Sequence, residues 1–287
     1  MFKKGMTRRT FVGLSGAAAA VAGLGLVGCG GTDDSSTSTE GGSDPNATLT
    51  AGLAYQNQGN LDPLSTSSAT GMAANWCVAE GFFEFDYAKM EAYKALAAED
   101  ELTKVSDTEY TVKLRKDAKF SDGTAVTPED VIKSWQRAAG KDEEYAGNIY
   151  VPMLSFIENV EADGEDGVKF TLNVAFDPEI MKKRLCIIKV CPASMSKDDL
   201  TKLPIGTGPW KYDSSDPQSI KLSVNENYNG DRPASNPVEF SVLVDNDPRV
   251  TAMTEGTTMI CEAVPADQID NFKNQGITVD EVQGFNL

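Results

Sequence analysis

The side chains of this 287-residue chain that can do chemistry are thiols, carboxylates and amines, because it contains no histidine. That absence removes Ser-His-Asp and Cys-His catalysis, imidazole-bound zinc and histidine pH switching together. Five cysteines occur: Cys29, Cys77, Cys186, Cys191 and Cys261. Cys29 follows a basic start (Lys3, Lys4, Arg8, Arg9) and a Gly/Ala-rich apolar run from Val12 to Val27. The sequence Leu26-Val27-Gly28-Cys29 marks residues 1–28 as an export signal and Cys29 as the acceptor of a lipid anchor. Arg8-Arg9 with Phe11 resembles a twin-arginine signal, while a basic start also suits the general secretory route. The apolar run is shorter than the ~20 residues of a membrane-spanning helix.

The other four cysteines allow up to two disulfides, in three connectivities, or buried thiols acting as small apolar groups. In a straight strand Cys186 and Cys191 would point to opposite faces. There is no C-x-x-C pair, so no metal site built from four cysteines is expected, and no cofactor. Asp163-Gly164-Glu165-Asp166-Gly167 lacks calcium-loop spacing and reads as a hairpin turn. Asp245-Asn246-Asp247 reads as a helix cap before Pro248. The carboxylates are many, but no local pattern selects two to converge across a cleft as a glycosidase requires. Excluding the four basic residues before Cys29 leaves 22 basic against 43 acidic side chains, a balance of −21. Nucleic acid, which needs a basic footprint, is therefore not an expected partner.

The elements that must position these groups begin after a tether. Residues 29–47 carry the lipid-acceptor cysteine and then Gly30–Asn46, which has no aliphatic or aromatic side chain and cannot build a core. Strands are expected at Leu49–Tyr55, Glu109–Leu114, Val168–Val174, Cys186–Val190, Ile220–Asn225, Val238–Val244 and Ile277–Val282. Met259–Ala263 reads as extended. Helices are expected at Gly71–Phe85, from Thr127 onward, and at Pro178–Arg184, Ser196–Leu200, Asp247–Met253 and Pro265–Asn274. Thr127 is the N-cap of the second helix, Pro128 suits its first position, and Val131, Ile132, Trp135 and Ala139 should face the core. Gly123 suits positive φ in the Ser121-Asp122-Gly123-Thr124 turn. Ile205-Gly206-Thr207-Gly208-Pro209-Trp210 reads as a tight backbone corner, since no Lys-Ser/Thr follows to make a phosphate loop. Mixed short strands and helices without regular alternation indicate a mixed α/β (α+β) fold.

Three segments carry a family resemblance. They are Asn60-Leu61-Asp62-Pro63 with Glu80-Gly81-Phe82-Phe83, the run Tyr110–Arg137, and Ile205–Trp210 followed by Asn225 and Tyr228. Together they resemble extracellular solute-binding proteins of the peptide/nickel class, the capture lipoproteins of ABC importers. The resemblance covers about 48–287. It implies a periplasmic-binding-protein-like first lobe (48–75 and 200–287), an inserted subdomain (76–199), and a second lobe that family members build beyond the point reached at Leu287. Phe285-Asn286-Leu287 looks like the start of the crossing strand. It implies a non-enzymatic, monomeric receptor for a peptide or small solute, docking on ABC permease subunits and held to the membrane through its lipid. The implied cleft wall includes Asn57, Gln58, Asn60, Cys261 and Glu262, with Ala263 beside them. Two other readings are a truncated interaction or sensory module and a secreted carboxylate-based hydrolase.

Overall fold

A computed structural model describes residues 47–87, 89–230 and 237–281. In chain order the elements are β1 (Leu49–Leu53), α1 (Ala69–Val78), β2 (Phe83–Asp86), β3 (Glu91–Lys94), β4 (Thr103–Lys104) and β5 (Glu109–Lys113). Next come α2 (Pro128–Ala138), α3 (Val151–Leu154), β6 (Ile157–Asp163), β7 (Gly167–Leu172), α4 (Pro178–Leu185) and α5 (Lys197–Lys202). The last are β8 (Trp210–Ser215), β9 (Ser219–Val224), β10 (Val238–Val242), α6 (Asn246–Thr254), β11 (Ile260–Cys261) and α7 (Ile269–Asn274).

These elements give a mixed α/β architecture with three sheets among the described residues. The five-stranded sheet runs β11-β1-β10-β9-β8. β1 lies parallel to both β10 and β11, while β9 is antiparallel to β10 and β8. A four-stranded antiparallel sheet runs β4-β5-β7-β6, and β2 pairs with β3 as a ribbon. One apolar cluster centres on Ala51, Leu53, Leu61, Val78, Ile220, Leu222 and Phe240. The other is larger and joins the antiparallel sheet to α2, α4 and α5 through Val112, Trp135, Phe170, Met181 and Leu200.

Local signals explain the well-placed elements. Thr127 and Asp130 form a reciprocal capping box at the start of α2, with Pro128 at the first position. Val131, Trp135 and Ala139 are buried and Ile132 is partly so, giving the core face expected from their spacing. Gly123 and Gly164 both take positive φ in their turns.

Three expected elements differ. The helix placed at Gly71–Phe85 stops at Val78, and Phe83–Asp86 is strand. Gly81 breaks it: a Cβ there would sit 2.7 Å from the Ile188 carbonyl, and its N–H donates to the Glu84 carboxylate at 2.9 Å. Cys186–Val190 is not a strand. Its residues are buried singly as the chain turns off α4, and Val190 donates to Glu80 O at 2.8 Å. Ile277–Glu281 forms no strand, and Val282 together with Phe285–Leu287 lies outside the described residues. Trp210–Ser215, unmarked in the sequence, is an edge strand. Among the described residues Cys186, Cys191 and Cys261 are free thiols.

The glycine-rich corner works differently from expectation. Neither Gly206 nor Gly208 has positive φ. Both glycines instead admit the last carbonyls of α1. A Cβ on Gly208 would lie 2.6 Å from Cys77 O, and one on Gly206 would overlap Val78 O outright. Gly208 N donates to Val78 O at 2.8 Å, closing the helix end. Ser121 N donates to Gly206 O, and Asn225 Nδ2 to Gly208 O. Asn227 Nδ2 reaches Ser121 O at 3.1 Å, and the Tyr228 hydroxyl meets Glu80 Oε1 at 3.5 Å. Parts of all three recognisable segments therefore meet at one junction between the two larger sheets.

Gly206→Ala must force that junction apart, and should destabilise the protein by about 1–3 kcal/mol as overpacking does. Urea unfolding of the variant beside Thr127→Ala, expected to cost about 1 kcal/mol through its lost cap, checks this. A Gly206→Ala midpoint equal to that of the parent would contradict it.

Candidate functional site at the carboxyl edge of the mixed sheet

Parallel strands end together, so β1, β10 and β11 deliver their carboxyl ends to one edge. β8 also ends there, at Ser215, and Val242 N donates to Gln218 O across the hairpin tip. Such an edge carries carbonyls without ladder partners, which must find other donors. It is also where open α/β sheets bind ligands.

Arg249 supplies the donors. Its side chain is only 2% exposed. Nη1 donates to the carbonyls of Leu243 (2.6 Å), Val244 (3.0 Å) and Asp245 (3.2 Å). Nη2 donates to Asn246 Oδ1 (2.7 Å) and Ala263 O (2.9 Å). One guanidinium thus ties the segment after β10 to the segment after β11. Gly52 makes room, since a Cβ there would stand 3.2 Å from Leu243 Cδ1 and 3.7 Å from Arg249 Cγ. Ala263 holds φ at 51°, a left-handed conformation that costs a non-glycine residue roughly 1–2 kcal/mol. The Arg249 bond to its carbonyl helps to keep it there.

The five expected wall residues all lie on this edge or in the loop leaving it, but their polar groups are differently engaged. Asn57 Nδ2 is spent on Ser215 Oγ (2.9 Å) and Asp216 O (2.8 Å), and its Oδ1 accepts from Gly59 N. Asn60 Oδ1 accepts from Asp62 N at 3.0 Å, so it shapes a turn. Gln58 is exposed. Cys261 is half-buried beside Gly52, and burial pushes its thiol up, with Arg249 pulling the other way and Glu262 adding to the rise. Glu262 Oε1 accepts from Ala54 N at 2.8 Å, capping the end of β1. Tyr55 and Val244 stand exposed on the same edge. Cys29 lies outside the described residues.

This edge offers amide and carboxylate groups, an aromatic face and ordered main chain. Burial raises the Cys261 thiol above its ordinary value, which lowers its thiolate fraction. Among the described residues no group of three or more His, Cys, Asp or Glu side chains is placed to hold a metal ion. No described helix is long and apolar enough to cross a membrane.

Residues 91–286 match the model for bacterial extracellular solute-binding proteins, family 5 Middle. The chain belongs to this family. It is 28% identical over 184 residues to the oligopeptide-binding protein AppA of Bacillus subtilis (strain 168), covering 60% of this chain and 33% of that protein. Among solved structures it is similar to the periplasmic binding protein DppA of Helicobacter pylori in complex with peptide STSA. That likeness has a TM-score of 0.70 at 21% identity and covers 80% of this chain and 49% of the other. It is similar also to AgaA of A. tumefaciens R10 in complex with agropinic acid (TM-score 0.71, 25% identity, 79% and 46% covered). The chain therefore spans about a third of the curated relative and about half of each solved chain.

Sequence reasoning placed the family but missed Arg249. A lone arginine inside Asp247-Pro248-Arg249-Val250 gives no local hint that it will be buried. The one pointer was Gly52, a glycine inside a strand, which signals close approach by another element.

Arg249→Ala leaves several carbonyls unpaired and should cost about 3 kcal/mol in urea unfolding, with Arg249→Lys restoring less than half. An unchanged midpoint for Arg249→Ala would remove its bracing role. The buried thiols make a separate prediction. Burial pushes the Cys186 thiol up to about 12 from an ordinary 9.0. Above pH 9 the unfolded state therefore binds fewer protons, and stability should fall as pH rises from about 9 to 12. Native alkylation at pH 8, read by mass spectrometry, should be at least about a hundredfold slower at Cys186 than in urea.

Proposed function

We propose that this chain is the first lobe of an ABC-importer capture protein, moored outside the cell by acyl chains on Cys29. The edge formed by β1, β10 and β11 and braced by Arg249 is the observation that carries this reading. It presents one wall of a cleft, with Gln58, Glu262, Tyr55 and backbone groups directed at solute. The lobe comprises residues 48–75 and 200–287, and residues 76–199 form a subdomain inserted beside it. Across the first boundary, α1 sends Ala74 and Val78 into the cluster beneath the mixed sheet.

The solute is a peptide or related small molecule, gripped mainly through its main chain. Main-chain recognition by hydrogen bonds, with side chains left in watery space, gives broad capture without any bond being broken. Release then passes the solute to permease subunits. The relatives named as binding peptides and other small solutes support this class, and so does an edge built from hydrogen-bonding groups without a reactive nucleophile. The protein acts as a monomer and performs no catalysis.

Calorimetric titration of the full gene product with pools of di- to pentapeptides tests the proposal. Saturable heat is expected, weakened about tenfold by the pair Gln58→Ala and Glu262→Ala. Steady turnover of a solute with no saturable retention would overturn it. Ligand-independent capture of a membrane permease, with no stabilisation by any peptide, would instead make it a docking module.

A further inference from the structure

Asn229-Gly230 is the one asparagine–glycine pair in the chain, and it lies in the segment that leaves β9. The neighbouring asparagines of that segment are tied down by their side chains. Asn225 Nδ2 donates to Gly208 O at 2.8 Å, and Asn225 Oδ1 accepts from Asn227 N at 2.9 Å. Asn227 Nδ2 donates to Ser121 O at 3.1 Å. Among the described residues no hydrogen bond holds the Asn229 side chain. Asn229 is half-buried and Gly230 is exposed. A Cβ at Gly230 would stand 2.6 Å from the Tyr228 ring, so glycine gives that ring its place. It also leaves the Gly230 nitrogen without a side chain to screen it.

The peptide group joining the pair is held by a cation from far away in the chain. Arg115 Nη2 donates to Asn229 O at 3.0 Å. Asp117 fixes the same guanidinium through Nε at 2.9 Å and Nη2 at 3.1 Å. Loss of the Gly230 N–H proton to hydroxide leaves a negative charge shared between that nitrogen and Asn229 O. A cationic donor already aimed at the oxygen stabilises this charge as it develops. The nitrogen then bonds to Asn229 Cγ, the Cγ–Nδ2 bond breaks, and ammonia leaves with a proton from water, which restores the hydroxide. One water next opens the five-membered imide at either carbonyl, giving aspartate or isoaspartate. In sum one water is consumed and one ammonia is released.

We propose that Asn229-Gly230 is a self-modification site, at which Arg115 promotes deamidation in the folded protein. The chain thereby gains a carboxylate beside Arg115 as it ages, with water as the only co-reactant and no enzyme. The site lies away from the carboxyl edge and stands whether or not a solute is captured there.

Prolonged incubation of the full chain in mildly alkaline buffer, followed by peptide mapping and isoaspartate detection, tests it. Asn229 should convert before every other asparagine, giving both products. Native Arg115→Ala should convert Asn229 at least about threefold more slowly than the parent. Arg115→Lys keeps a cationic donor and should fall between the two. In urea the parent and Arg115→Ala should convert at one rate, since only folding brings Arg115 to Asn229 O. The Arg115 side chain is 31% exposed, so the variants should keep the parent's circular dichroism. If Arg115→Ala does not keep it, the slower conversion of native Arg115→Lys than of the parent decides the matter. Equal native rates with and without the guanidinium would overturn the proposal. Faster conversion in folded Arg115→Ala would overturn it too, since Arg115 would then restrain the pair rather than activate it. So would an intact Asn229 in a protein whose other asparagines have converted.

Discussion

Two glycine backbones pressed against the end of one helix hold this structure together. Gly206 and Gly208 lie where any side chain would strike the last carbonyls of α1, and Gly208 caps one of them. The same short corner receives Ser121 from the turn before α2 and Asn225 from the end of β9. The mixed sheet, its helix and the turn leading to α2 are therefore fixed to each other by close main-chain contacts and by the Asn225 side chain. Interiors packed this tightly do not yield by degrees, so the junction acts as a rigid corner from which both sheets project.

From that corner the candidate edge is set by a problem intrinsic to parallel strands. Their carboxyl ends gather carbonyls that no ladder can satisfy. A single buried guanidinium settles five acceptors after β10 and β11, and the left-handed Ala263 is held by the same group. Glu262 does the converse for β1, its carboxylate accepting from the Ala54 N–H just past the strand. What remains pointing outward is an ordered rim on which Tyr55, Gln58 and Val244 stand exposed.

The motifs that made the family legible turn out to be mostly architectural. The Asp122-Gly123 turn, the glycine corner, Asn225 and Tyr228 cluster at the junction rather than at the edge. Asn57 and Asn60, read as solute contacts by resemblance, spend their side chains on turns and on the β8–β9 tip. Gln58 and Glu262 keep groups on the edge.

The sequence by itself determined what rests on neighbours in the chain. Thr127, Pro128 and Asp130 specify a helix start through bonds three residues long, and the alternation in Glu109–Lys113 specifies a strand through period two. Gly123 specifies its turn through one dihedral. Tertiary structure alone decided where α1 stops, because the block at Gly81 is the Ile188 carbonyl, more than a hundred residues away. It alone made Trp210–Ser215 an edge strand and kept Cys186–Val190 from being one, since a strand is defined by its partner and not by its own apolarity. It alone buried Arg249, whose value depends on carbonyls that parallel pairing brings to one place.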